Sequence, residues 1–140
     1  MNGAFPNLRP GRFRPTSSAT RTYNCIAWAA GETHRWWWPL PDVYYWPETV
    51  ARTVAVDAFV NAFETVGFSS CADGAFELGF EKVAIYAQLG RPTHMARQLP
   101  SGKWTSKLGR DIDIEHETPA EVEGPVYGSV VHYMRRATAG

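Results

Sequence analysis

The stretch KVAIYAQLGRPTHMARQLPSGKWTSK, residues 82–107, decides the fold. Lys82 to Gln88 is rich in β-branched and aromatic side chains and reads as a strand, closed by a turn at Gly90–Pro92. Thr93 to Leu99 is a second strand. Pro100-Ser101-Gly102 is a tight turn that leads it into a hairpin with Lys103 to Lys107. Downstream, residues 112–116 form a further short strand. Residues 126–135 fit two readings: Tyr127, Val130, Val131 and Met134 have helical spacing, whereas the β-branched content favours a strand.

Upstream the pattern changes. Residues 22–31, TYNCIAWAAG, predict a short helix with Thr22 or Asn24 as N-cap and Gly31 closing its C-terminus. Residues 49–66 predict a longer one, with Val50, Val54, Phe59, Val60, Phe63 and Val66 approximating one apolar stripe and Gly67 as the stop. Between them, residues 32–48 hold Pro39, Pro41 and Pro47, which forbid a long helix. This loop carries Trp36, Trp37, Trp38, Tyr44, Tyr45 and Trp46, enough aromatic area for the wall or lid of a site. Residues 68–80 read as a loop with turn chemistry at Asp73-Gly74. The expected class is α+β, with N-terminal helices packed on an antiparallel sheet. Residues 22–136 form a single domain, and residues 1–21, rich in proline and arginine, an arm or tail.

Composition narrows the function. Lys plus Arg and Asp plus Glu are 14 each, so the formal charge is zero. A nucleic-acid binder needs a basic face, and this balance argues against one. No apolar run approaches the roughly 20 residues needed to span a bilayer, and the N-terminus lacks the apolar centre of a signal peptide. Two cysteines, Cys25 and Cys71, exclude a disulfide-rich scaffold and a structural zinc finger. The expected setting is cytoplasmic with reduced thiols; an effector exported without a classical signal would look the same.

Cys25 falls on the predicted first turn of a helix, where backbone N–H groups and the helix dipole favour a thiolate nucleophile. The alternative is a buried small hydrophobe. His94 shares a strand face with Ala96 and Gln98, which leaves room for a neighbour, and an imidazole can take a thiol proton. A structural histidine is the competing reading. Asp111, Asp113 and His116 are candidates to orient that imidazole, with Asp113 first by residue type and Ser106 and Gln98 weaker; otherwise this is a solvated acidic loop. His34 and His132 read as ordinary histidines. The histidines show no paired metal-ligand spacing. The cluster Asp111, Asp113, Glu115, His116 and Glu117 lacks the central glycine of an EF-hand, and no phosphate-binding glycine motif is present, so no cofactor or metal is implied.

Tyr23-Asn24-Cys25-Ile26-Ala27-Trp28-Ala29 and Lys82-Val83-Ala84-Ile85-Tyr86 resemble the motifs of papain-like cysteine hydrolases, in particular the small NlpC-type and CHAP-type cell-wall amidases. In that family the first motif opens the cysteine helix, and a catalytic histidine begins the second. Here Glu81-Lys82 stand at that place, and the nearest histidine, His94, lies one strand later. The strings YNCIAWA, WWWP, YWP, KVAIYA, HMARQL, WTSKLG, DIDIEH and YG are similar to those of an uncharacterised bacterial domain family, over residues 23–128. That resemblance implies that Cys25, His94, Lys107 and His116 belong to one site.

Three functional expectations follow. In a papain-like cysteine hydrolase (protease, amidase or deamidase), Cys25 attacks a carbonyl and His94 acts as base and then acid. Asp113 or His116 orients His94, and Asn24 with the helix N–H groups holds the oxyanion. Trp36, Trp37, Trp38, Tyr44, Tyr45, Trp46, Trp104 and Lys107 line the substrate cleft, and the partner is a peptide, protein or other amide. The alternative is a binding module without turnover, with the Trp/Tyr loop as its interaction surface. The third is a toxin or effector using the same Cys–His chemistry.

Overall fold

The computed structural model describes residues 24–32, 35–41, 43–107 and 113–138, together with the backbone alone of residues 13–17; at residue 113 only the backbone is described. The chain is α+β. Seven strands form one sheet: β1 (Phe13–Ser17), β2 (Ser69–Cys71), β3 (Phe80–Gln88), β4 (Arg91–Gln98), β5 (Trp104–Lys107), β6 (Asp113–His116) and β7 (Ser129–Ala137). Their order is β1-β6-β5-β4-β3-β7-β2, and every pairing is antiparallel. Among the described residues, two helices, α1 (Cys25–Ala30) and α2 (Val56–Glu64), and one 3-10 turn (Pro119–Val122) complete it.

The 82–107 stretch forms β3, β4 and β5 as its composition demands. β3 is central, between β4 and β7, and its residues Val83 to Ala87 are all buried. A strand covered on both faces needs an uninterrupted apolar run rather than an alternating one, which is what VAIYA supplies. The β3–β4 turn uses Leu89 and Gly90, both at positive φ (52° and 79°), and not Gly90–Pro92 as expected, because Arg91 and Pro92 already belong to β4 and pair with Gln88 and Ala87. Paired positive φ gives the twist that a two-residue hairpin connection requires. Residues 126–135 resolve as a strand, since β7 continues the sheet beyond β3.

The two sheet faces have separate cores. On the first, Val83, Ile85, Met95 and Met134 pack with Ile26, Ala27, Ala29 and Ala30 of α1 and with Ala58, Phe59, Ala62 and Phe63 of α2. On the second, Ala84, Tyr86, Ala96, Trp104, Ile114, Val122 and Tyr127 cluster together.

Three further expectations change in detail. Residues 13–17, expected in the arm, form edge strand β1 against β6. The second helix is shorter than residues 49–66. The indole Nε1 of Trp46 donates to the Ala51 carbonyl (2.9 Å), and Arg52 Nη1 donates to the carbonyls of Pro39 and Tyr44 (3.2 and 3.3 Å). These bonds tie residues 51–52 into the aromatic loop, and the helix starts at Val56. Within the expected 68–80 loop, Ser69–Cys71 pairs with β7 as a short edge strand.

Candidate functional site

Asn24 caps α1 as expected: its Oδ1 accepts from Ala27 N at 3.1 Å. The same side chain reaches across to Trp37, donating from Nδ2 to the carbonyl (2.7 Å) and accepting at Oδ1 from the backbone N–H (3.1 Å). The aromatic loop is thereby fixed against the start of the helix. Trp37 is wholly buried, and its indole N–H donates to Glu32 (2.8 Å). Trp46 and Trp104 are also buried. These three indoles, expected to line a substrate cleft, are core residues. Trp37 packs on Phe63, Trp46 on Phe59, and Trp104 near Tyr133 on the opposite face.

The rest of the loop forms a cleft of about 420 Å³, lined by Trp36, Trp38, Leu40, Pro41 and Tyr44, with Asn24, Cys25 and Thr93. Trp36 and Tyr44 stack at 5.7 Å between centroids and 26° between planes. Trp38 stands edge-on to Phe59 at 5.3 Å, which anchors it from below. Tyr45 instead lies under the Arg35 guanidinium, 3.5 Å above its ring. Leu40, half exposed, sits on the rim, with the more exposed Val43 nearby in the chain. Tyr44, expected in the aromatic wall, lines the cleft, whereas Leu40 had no signal in the sequence: the proline spacing that brings it round is not periodic.

Cys25 closes the inner end of this cleft and is itself 6 % exposed. Burial pushes its thiol up to about 11. Hydrogen bonds from the backbone at Met95, Cys25 and Ile26, together with the charge of Lys107, act in the opposite direction without overcoming the desolvation. Cys25 therefore holds its proton at neutral pH.

The structure does not bring His94 to Cys25. Successive residues of β4 point to opposite faces. Met95 lies in the core that contains Cys25. The His94 ring stacks face-to-face on Tyr127 (3.9 Å, 4°) and stands edge-on to Tyr86 (5.0 Å), both in the second core. Lys107 is fully buried and acts electrostatically on Cys25.

His94 has other partners. Its Nε2 lies 3.0 Å from Ser106 Oγ, which lies 2.8 Å from His116 Nε2; His116 Nδ1 lies 2.8 Å from the Thr118 carbonyl. Burial holds His94 well below the ordinary histidine value of 6.5 and also lowers His116, despite the nearby Glu121 carboxylate. The four candidate residues joined by the resemblance thus divide two and two. Cys25, the first residue of α1, and Lys107, which acts on it, lie on the first face, and His94 and His116 lie on the second. Ser106, a weaker candidate in the sequence, is the link between the histidines. The side chains of Asp111 and Asp113, and all of His34, lie outside the described residues. His132 Nε2 pairs with Ser70 Oγ at 2.7 Å on the sheet's surface. Among the described residues no three His, Cys, Asp or Glu side chains gather as a metal site, and no helix is long and apolar enough to cross a membrane.

The pattern that runs from the β1–β6 edge through the cysteine helix to β7 is that of a known family: the one described as Domain of unknown function (DUF7689) matches residues 14–135. The chain belongs to this family. The match spans both sheet faces, from the second residue of β1 to within β7, so the aromatic cleft and the histidine chain both lie inside the family's domain. No curated protein and no solved structure matches the chain.

Proposed function

We propose that this domain is a binding module that takes an apolar side chain of a peptide or protein partner into the aromatic cleft. The observation that carries this reading is the cleft itself: a largely apolar concavity of about 420 Å³ walled by Trp36, Trp38 and Tyr44. Tryptophan and tyrosine contribute large contact area at small entropic cost, which is why they dominate binding hot spots. The Asn24 amide on the cleft floor is already committed to Ala27 and Trp37, so it offers little to a polyhydroxylated ligand.

The experiment is selection of displayed peptides on the purified full chain, followed by anisotropy titration of the selected peptides. Trp38→Ala and Tyr44→Ala should each weaken binding about tenfold or more, and Cys25→Ala should leave it within about twofold. Binding that ignores Trp38→Ala, or no selected peptide at all, would refute the proposal.

A second reading is acyl transfer by Cys25, the chemistry implied by the resemblance to papain-like amidases. The specific support is the position of Cys25 at the inner end of the same cleft, with thiolate-favouring backbone groups and Lys107 nearby. In this reading a peptide amide bound in the cleft is cleaved, and the products are absent with Cys25→Ala. A toxin or effector role would be a use of that same cleavage.

A further inference from the structure

The hydrogen bonds on the second sheet face have a fixed direction. A carbonyl only accepts, so His116 Nδ1 carries the proton in its 2.8 Å bond to Thr118. The Nε2 of neutral His116 is then a bare acceptor, and Ser106 donates its one hydroxyl proton to it (2.8 Å). The Ser106 oxygen in turn accepts from His94 Nε2–H (3.0 Å). That leaves His94 Nδ1 as a bare lone pair, fully buried and without a hydrogen-bond partner. An orphaned buried polar atom at the end of an otherwise satisfied chain calls for an explanation.

We propose that His94, Ser106 and His116 form a reversible proton relay, in which uptake of one proton reverses both hydrogen bonds at Ser106 and turns His94 Nδ1 from an acceptor into a donor. The protons balance as follows. One N–H forms at His94 Nδ1. The His94 Nε2 proton passes to the Ser106 oxygen, and the Ser106 proton passes to His116 Nε2. His116 becomes the imidazolium, donating to Thr118 from Nδ1 and to Ser106 from Nε2, while Ser106 now donates to His94 Nε2.

Two other placements of the added proton are worse. Charge left on His94 would sit between the Tyr127 face and the Tyr86 edge, where among the described residues no acidic group acts on it. Charge on His116 without reversal would aim both Nε2–H groups at the Ser106 oxygen and orphan its hydroxyl proton, a second unsatisfied group. Reversal keeps the count of orphans at one. The groups facing the relay also favour charge at its far end. β3 presents Tyr86, the segment before β7 presents Tyr127, and the 3-10 turn presents the Glu121 carboxylate, which accepts from the N–H groups of Glu117 and Thr118 near His116. Glu123, just after that turn, accepts from Val130 N and lies within electrostatic reach of Tyr86. The device makes Nδ1 of His94 report the charge of a residue two strands away.

The test is long-range ¹H–¹⁵N NMR of the full chain labelled at histidine, with Ser106→Ala and Ser106→Thr for comparison. At pH 7.5, His94 should be protonated at Nε2 and His116 at Nδ1. On acidification His116 should become doubly protonated while His94 changes to the Nδ1–H form at the same midpoint. Ser106→Thr should keep this coupling and Ser106→Ala should abolish it. The wild-type spectra decide the matter if neither variant folds. A His94 protonated at Nδ1 at neutral pH would overturn the relay. So would an imidazolium on His94, a His94 form unchanged after His116 titrates, or unfolding before either ring titrates.

Discussion

Asn24 and Trp37 hold each other in both directions: the Asn24 amide donates to the Trp37 carbonyl at 2.7 Å and accepts from the Trp37 N–H at 3.1 Å. The side chain thus copies a backbone strand neighbour while also capping α1. Asn24→Ala would leave three buried backbone groups unpaired, at Ala27 N, Trp37 N and Trp37 O. The expected loss is roughly 2–4 kcal/mol, read from chemical denaturation, with a red-shifted tryptophan emission as the loop loosens. A loss below about 0.5 kcal/mol would mean that the loop is held elsewhere.

Leu89 occupies the left-handed region at φ 52° and is 99 % exposed. It incurs the backbone strain of that conformation and buries nothing in return. Asparagine suits the first position of this turn type, ahead of Gly90. Leu89→Asn should stabilise the domain by about 0.5–1 kcal/mol, seen as a higher Tm with unchanged near-UV circular dichroism. A lower Tm would contradict the turn geometry.

Gly128 (φ 76°) faces the β3 backbone so closely that an added Cβ would lie 2.1 Å from the Ala87 carbonyl oxygen. That oxygen belongs to the central strand and cannot retreat. Gly128→Ala should therefore cost on the order of 4 kcal/mol, or prevent folding, whereas Gly79→Ala, with open space around it, meets only its positive φ. Equal losses in the two variants would refute the close approach.

What was legible in the sequence was what short-range chemistry decides. The Asn24 cap, the Gly31 stop and the 100–102 turn needed only local hydrogen bonding and φ preference. The β-rich run in β3 marked a strand, but that the strand is central, with both faces covered, was not read from it. The site was less legible. Cys25 reaches the aromatic cleft, but which face His94 takes depends on strand register, and a shift of one residue exchanges the faces. Trp36 and Trp37 are neighbours in an aperiodic loop, yet one lines the cleft and the other is core. Ser106 joins two histidines through pairings across three strands, which no spacing within one strand announces.

Acid should destabilise the domain before its carboxylates titrate. His94 and His116 are held below 6.5 by burial in the folded state and return to it on unfolding. The unfolded chain then binds more protons below pH 6.5, and stability falls with pH from that point. Asp73 and Glu77, whose carboxyls are lowered by partners, add their losses only nearer their ordinary values of 3.8 and 4.5. Urea midpoints measured between pH 8 and 5 should decline from about pH 6.5 downward. A flat profile across that range would show that the histidines are not desolvated.

Cys25 should do the reverse. Its thiol ionises near 9.0 when unfolded and is pushed up to about 11 when folded. The unfolded chain therefore loses its proton first, and stability drops as pH rises from 9.0 towards 11, by roughly 3 kcal/mol in full. Tyr86 and Tyr133 are raised as well and contribute with the same sign, so the quantity to measure is the difference between wild type and Cys25→Ala. That difference should shrink with alkalinity. Alkylation gives an independent reading: iodoacetamide at pH 8 should modify the half-buried Cys71 well before Cys25, since only a minute fraction of a thiol at about 11 is ionised there. Rapid, selective alkylation of Cys25 would place a thiolate at the inner end of the cleft. It would favour acyl transfer over simple binding.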